Sequence, residues 1–412
     1  MPDLSPRELQ GLQIATMGRL VKRGVVWMVP SQSGSGPYEV SPDPLEPHCT
    51  CPDHETNGVR CKHIYAVDYA MRRESDRGAA GVSEAMATKR PGRKTYPQNW
   101  RAYNAAQTRE KAKFQELLSE LCIDIKEPIR SRNGRPRIPI HDAIFSACFK
   151  VYSTMSGRRF MTDLQEAQGK GFILKAPHYN TIFNYLEDKN LTPILRELII
   201  RSSLPLKAVE TDFAVDSSGF STSRFMRWFD LKYGLPRREH DWVKVHLMCG
   251  VRTHVVTAVE IRDRHAADTK ALPYLVDMTA ENFVVHEVAA DKAYSSHANF
   301  DFIGRHGAKP FIAFKANATG RGGRLWEKMF HHFSLRREDF LAHYHKRSNV
   351  ESTFSMIKAK FRDNVRSKSP VAMVNEVLCK LICHNICVLI QEAHELGIEV
   401  KLQGTRRAQH PS

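Results

Sequence analysis

Four side chains near the amino end have the types and the spacing of a metal site: Cys49-x-Cys51, nine residues, then Cys61-x-His63. Three thiolates and an imidazole are the ligand number and kind that a closed tetrahedral Zn²⁺ takes, and each short spacer presents two donors to one ion. Residues 61–70 open as a helix that would carry the second pair. His48 and His54 adjoin the pairs and read as solvated neighbours. Cys379, Cys383 and Cys387 recur every four residues in an apolar helix beside His384. Three thiols on one helical face span about 12 Å and cannot all reach one ion, so they read as buried small hydrophobes.

Carboxylates form the second reactive set. Residues 211–219 alternate like a strand, end in small residues, and carry Asp212 and Asp216 four positions apart on one face. Residues 284–291 form a second strand that ends in Asp291. At about 100° per residue, Tyr344, Arg347, Glu351 and Lys358 fall at about 0°, −60°, −20° and −40° on one continuous helix, a narrow polar stripe. Val350, Phe354, Ile357 and Phe361 form the adjacent apolar arc that docks on a sheet. Asp263 and Asp268 read as solvated loop acids, and Lys292 as a surface or phosphate-facing charge.

These residues need elements to hold them. Beyond about Pro205 the order is strand, a hairpin across Gly250–Thr253, helix, strand, helix, strand, helix, which predicts an α/β domain over 205–395. Residues 99–204 have helical periodicity, 76–98 read as a basic flexible linker, and 1–75 as a small metal-stapled module. Residues 396–412 form a basic tail. With 412 residues, two or three domains are expected. The chain has 61 Lys+Arg against 45 Asp+Glu, a formal charge of +16, which suits a polyanion such as nucleic acid. No apolar run reaches the roughly 20 residues of a membrane span, and no secretory leader is evident. Nine cysteines, odd in number and unevenly placed, argue for reduced thiols. The expectation is a soluble intracellular protein.

The first cluster, preceded by β-prone segments and followed by a hydrophobic helix, resembles the SWIM zinc finger over roughly the first 75 residues. Ala214-Val-Asp216-Ser-Ser, Val288-Ala-Ala-Asp291-Lys-Ala-Tyr294 and Tyr344-x2-Arg347-x3-Glu351-x6-Lys358 resemble the three catalytic blocks of bacterial insertion-sequence DDE transposases. The resemblance implies a ribonuclease H-like catalytic domain, an α/β fold, preceded by a helical DNA-binding region and the zinc module. It implies that Asp216, Asp291 and Glu351 are catalytic and hold two divalent ions, Mg²⁺ or Mn²⁺. The choice of Asp216 over Asp212 rests on this family context. Tyr344, Arg347 and Lys358 match family positions that contact DNA near the scissile phosphate.

The implied partners are transposon ends and target DNA, with a homodimer or higher oligomer assembled on them, in a cytoplasmic, nucleoid-associated setting. Residues 178–185 are expected to enter the major groove as a recognition helix, with Asn180, Thr181 and Asn184 at base edges. Arg132, Arg135 and Arg137 lie in a Gly-Pro turn suited to phosphate or minor groove. The 59 residues between Asp291 and Glu351 leave no room for the large β insertion some relatives carry. Two other readings are a noncatalytic DNA-binding regulator and a structure-specific nuclease on the same fold.

Overall fold

The computed structural model describes residues 5–17, 20–31, 36–43, 46–71, 99–127, 137–222, 242–263, 266–315 and 318–402. Arg132, Arg135, the expected linker 76–98 and most of the expected tail lie outside the described residues. The chain divides into two compact units, Met1–Pro97 and Gln98–Ser412.

In the first unit, α1 (Pro6–Met17) precedes a four-stranded antiparallel sheet of β1 (Val21–Arg23), β2 (Val26–Val29), β3 (Tyr38–Ser41) and β4 (His48–Cys49), ordered β1-β2-β3-β4. Then come α2 (Pro52–Asn57) and a helix, α3, through residues 62–71. The β1–β2 turn needs a positive φ, which Gly24 supplies at 62° without steric cost. Among the described residues the core cluster holds ten buried hydrophobic residues, three of them Cys49, Cys51 and Cys61. So small a core cannot offset chain entropy unaided, and metal ligation there would also be folding energy.

The second unit opens with α4 (Trp100–Ile123), α5 (Ile140–Ser153), α6 (Gly157–Gly169), α7 (Tyr179–Leu186) and α8 (Leu191–Ser203). A mixed sheet follows: β5 (Asp212–Ser221), β6 (Trp242–Gly250), β7 (Val256–Arg262), then α9 (Leu272–Ala280), β8 (Glu287–Ala290), α10 (His297–Arg305) and β9 (Lys309–Ile312). The strand order is β7-β6-β5-β8-β9, with β5, β6 and β7 antiparallel and β8 and β9 parallel to β5. The chain continues through α11 (Arg324–Leu335), α12 (Arg337–Tyr344), a 3-10 turn His345–Arg347, α13 (Ser348–Phe361) and α14 (Pro370–Leu396).

Alternation along β5 builds two cores. Phe213 and Val215 face one with Met248, Val288 and Phe300, while Ala214 and Phe220 face the other with Phe354, Ile357 and Leu381. The helices α4–α8 contribute to that second core through residues such as Phe114, Phe149 and Leu195, so they share it with the sheet. By length and composition α14 is apolar enough to cross a membrane, yet 83% of its apolar window is buried inside the protein, as a core helix requires. Cys379 and Cys383 are buried along it. Asn385 fastens it to the sheet: its side chain accepts from the Val256 N–H and donates to the Val256 carbonyl, each at 2.8 Å.

One continuous helix from Tyr344 to Lys358 is not what forms. The 3-10 turn tightens the chain between α12 and α13, so Tyr344 and Glu351 sit on different helices. The turn is anchored to the sheet by Lys346 and Arg347, whose ion pairs fix where the chain crosses it.

Candidate functional site

The parallel pairing of β5 with β8 sets Asp212 opposite Glu287 and Val215 opposite Ala290, so one further step brings Asp216 beside Asp291. Because side chains alternate, positions 212 and 216 share a face, and two acidic pairs stand one after the other along it. The end of α12, the 3-10 turn and the start of α13 bring the balancing cations. Lys346 Nζ lies 2.7 Å from Asp212 Oδ2 and 2.8 Å from Glu287 Oε2, and His343 Nδ1 lies 2.8 Å from the same Glu287 oxygen. Burial would push the Glu287 carboxyl up, but Lys346 and His343 outweigh it and hold the group below the usual range.

The second pair is less compensated. Arg347 Nη1 is 3.1 Å from Asp216 Oδ2, and its Nη2 is 2.6 Å from Glu351 Oε1. Burial raises the Asp216 pKa, and the neighbouring charges of Asp291 and Glu351 raise it further, against the Ser217 N–H at 2.8 Å and the Arg347 guanidinium. Three carboxylates therefore share one electrostatic field with one guanidinium between two of them. Glu351 is exposed, whereas Asp216 and Asp291 are half-buried. Tyr344 is half-buried in the same field, its pKa raised by burial first and by Asp291 as well.

Further along the same face, Lys358 Nζ donates to Ser218 Oγ at 2.6 Å and lies over the rings of Phe220 and Phe354. Burial lowers its pKa. Behind β5, the buried Tyr294 hydroxyl lies 2.9 Å from His246 Nδ1. Burial pushes His246 down to about 4 and Tyr294 up, so both are neutral at neutral pH. Asp263 is exposed as expected, but Asp268 is half-buried and bound by Lys244 at 2.5 Å, an ion pair that joins it to β6. Lys292 is exposed.

On α7, Asn180 and Asn184 are exposed and Thr181 half-buried, while Ile182 and Leu186 dock the helix on the core. The His178 ring caps it, accepting the Asn180 N–H at 3.3 Å. Arg137 is exposed. Lys346, Glu287 and His343 did not stand out in sequence. A signal was present: Glu287 precedes Asp291 by four residues, as Asp212 precedes Asp216, and Lys346 precedes Arg347 directly.

In the first unit, Cys49, Cys51, Cys61 and His63 are all buried and their ligand atoms lie within 4.8 Å of one another. His63 Nδ1 is 3.9 Å from both Cys49 Sγ and Cys61 Sγ, close to the edge of about 3.8 Å that a tetrahedron with bonds of about 2.3 Å requires. β4 delivers Cys49, Cys51 caps α2, and the start of α3 brings Cys61 and His63. Hydrogen bonding from Cys49, and from His63, pulls the Cys61 thiol well below its ordinary pKa, the thiolate character a zinc ligand needs. His48 is exposed and the His54 ring is engaged with the Val59 carbonyl at 2.8 Å, so neither joins the cluster. The quartet fits Zn²⁺ in donor type and spacing.

The acid trio is a set of hard oxygen donors, the type that Mg²⁺ or Mn²⁺ takes, but Arg347 stands between Asp216 and Glu351. Among the described residues the Cys49, Cys51, Cys61 and His63 quartet is the group whose ligand atoms are gathered around one point. Residues 207–386 match the family model of the transposase DDE domain, and residues 32–69 match that of the SWIM zinc finger. No curated protein and no solved structure matches the chain.

Proposed function

We propose that the chain, whose residues 207–386 match the transposase DDE domain and 32–69 the SWIM zinc finger, is a DNA transposase that binds the terminal repeats of an insertion sequence and catalyses divalent-metal-dependent strand cleavage and strand transfer. The observation that carries this reading is the meeting of Asp216, Asp291 and Glu351 in one electrostatic field, Asp216 and Asp291 on neighbouring parallel strands and Glu351 joined to Asp216 through Arg347. The sheet order supports a ribonuclease H-like fold.

In this reading Asp216, Asp291 and Glu351 hold two Mg²⁺ or Mn²⁺ ions, which supply activation of a water or 3′-hydroxyl and stabilisation of the leaving oxygen during displacement at phosphorus. Arg347, paired with Asp216 and Glu351, competes with the ions for these carboxylates and has a planar fork suited to a phosphate. Tyr344, neutral at working pH, offers a hydroxyl donor beside the acids. Lys358, fixed by Ser218, directs a compact charge to the DNA backbone. Asn180, Thr181 and Asn184 read base edges from α7, and the protein assembles on DNA as a homodimer or higher oligomer. The Cys49, Cys51, Cys61 and His63 quartet holds a structural Zn²⁺.

The test is a gel assay of labelled transposon ends with supercoiled target in Mg²⁺, scoring cut ends and joined products separately. Asp216→Asn, Asp291→Asn and Glu351→Gln should bind ends but neither cut nor join them. Cutting without joining by the wild type favours a nuclease, and undiminished activity in the three variants removes the mechanism.

A further inference from the structure

A cavity of about 370 Å³ opens between α5, α7 and the loop from α13 to α14, lined by Lys150, Arg362, Arg366, Lys368 and Lys380. Most of these charges are occupied. Arg362 and Arg366 donate to the Thr154 carbonyl, each at 3.2 Å, and Lys380 donates to the carbonyls of Arg362 and Asn364 at 3.0 and 2.7 Å. The acid on the wall, Glu376, accepts the loop N–H groups of Arg366 and Ser367. Those bonds shape the loop and leave Lys150 out. Lys150 is 8% exposed and lines the cavity, and its ammonium has no hydrogen-bond or ion-pair partner among the described residues, although the charge of Glu376 acts on it. Burial first, and the charge of Arg366 second, push its pKa down to about 8.

Facing the cavity, that ammonium is left to water, and an anion there would take the water's place. The backbone here is strained as well. Thr154 at φ 54° and Arg362 at φ 73° are two of the three non-glycine residues with positive φ among the described residues, and both face this cavity. Such conformations persist only where the surroundings enforce them, and they gather at ligand sites. Apolar side chains also line the cavity, among them Phe183 and Phe361. Phe183 is 40% exposed, and its ring packs so close to Gly157 that an added Cβ there would lie 2.7 Å from it.

We infer that this cavity binds a nucleotide, its phosphate on Lys150 and its base against Phe183 and Phe361. A small anion alone leaves the aromatic wall wet, and an apolar molecule leaves Lys150 unpaired, whereas a nucleotide answers both. The choice of a nucleotide over other aromatic anions rests on the DNA-acting reading, and α7 supplies both Phe183 to the cavity and Asn180 and Asn184 to the adjoining surface. The nucleotide is either free or one unit of a bound DNA strand.

The test is calorimetric titration of the full chain with deoxyadenosine monophosphate, inorganic phosphate and a short single-stranded oligonucleotide, in the wild type and Lys150→Met. The variant removes an unpaired buried charge at similar length, so it should melt no lower than the wild type. Its affinity should fall by at least about tenfold, the worth of one charged hydrogen bond. A fall for the mononucleotide assigns the site to free nucleotide, and a fall confined to the oligonucleotide assigns it to a strand. Unchanged affinity for both, phosphate bound as tightly as the mononucleotide, or a lower melting temperature in the variant would each overturn the inference. An inert Lys150→Met with normal cutting of DNA ends removes the cavity's role alone. A Lys150→Met effect beside fully active Asp216→Asn removes the transposase mechanism alone.

Discussion

Lys346 and Arg347, adjacent on one 3-10 turn, grip carboxylates four residues apart on the same strand: Lys346 reaches Asp212 at 2.7 Å and Arg347 reaches Asp216 at 3.1 Å. The two contacts lock the turn over β5, and they distinguish the acids. Asp212 and Glu287 share a cation with His343 close by, whereas Asp216 shares one guanidinium with Glu351 beside a third carboxylate.

Asp212→Asn should therefore cost stability and spare chemistry. Its ion pair with Lys346 is partly exposed, so the loss should be about 1 kcal/mol or less in denaturant unfolding. Asp216→Asn should do the reverse, keeping the fold while cutting and joining drop by at least about 100-fold, equivalent to about 2.7 kcal/mol of transition-state stabilisation. Equal loss of cutting in both variants would contradict the assignment.

Arg347→Gln leaves Asp216 and Glu351 without their shared cation. Mg²⁺ should then bind this variant more tightly than the wild type in calorimetry at low salt, while end cutting falls because the phosphate-facing fork is gone. Weaker Mg²⁺ binding in the variant would mean that Arg347 organises the carboxylates for the ion and does not compete with it.

Zinc content and folding of the first unit should change together. The full chain should carry one Zn²⁺, and Cys61→Ser or a strong chelator should release it. Hydrogen exchange of β1–β4 should then rise by orders of magnitude while β5–β9 stay protected. Protection of β2 and β3 that survives metal loss would show that the hydrophobic residues suffice.

Alkaline pH offers a fourth check. Lys150 and Lys380 are each lowered to about 8 in the folded chain, chiefly by burial, from an ordinary value near 10.5. Between these values the unfolded chain holds a proton that each folded lysine has lost, so the contribution of Lys150 and Lys380 to unfolding free energy should rise with pH from about 8 to about 10.5. Buried thiols such as Cys122 and Cys249, raised by burial, contribute with the opposite sign and leave the difference between wild type and Lys150→Met as the readout. Lys150→Met should gain roughly 2–3 kcal/mol at neutral pH, a gain that shrinks across the same window. A pH-independent difference would mean that Lys150 is protonated equally in both states.

Legibility in the sequence followed distance along the chain. The zinc quartet could be read because Cys49 to His63 is a local pattern, and the four side chains do meet. The strand holding Asp216, the hairpin and the strand before Asp291 were equally visible as alternation bounded by turns. The break after Tyr344 was not, since Tyr344 through Lys358 has acceptable helical periodicity and only the pull of Asp212 and Asp216 on Lys346 and Arg347 sets the turn. Helices α11 and α12 also went unread, and the core that α4–α8 share with the sheet is closed by α14 through contacts more than 100 residues apart, as between Thr192 on α8 and Asn375. Lys150 did not stand out in sequence, because nothing local tells that the residues around it are covered.

The Asn385 amide has a consequence for assembly. β7 is an outer strand of the sheet, and an outer strand offers its free N–H and carbonyl groups to any chain that can add alongside. By donating to and accepting from Val256 at once, this side chain reproduces the pair of bonds a neighbouring strand would make. The beginning of β7 is thus closed to β-addition by a residue of the protein's own core helix, and self-association by edge pairing is blocked there without a charge or a proline.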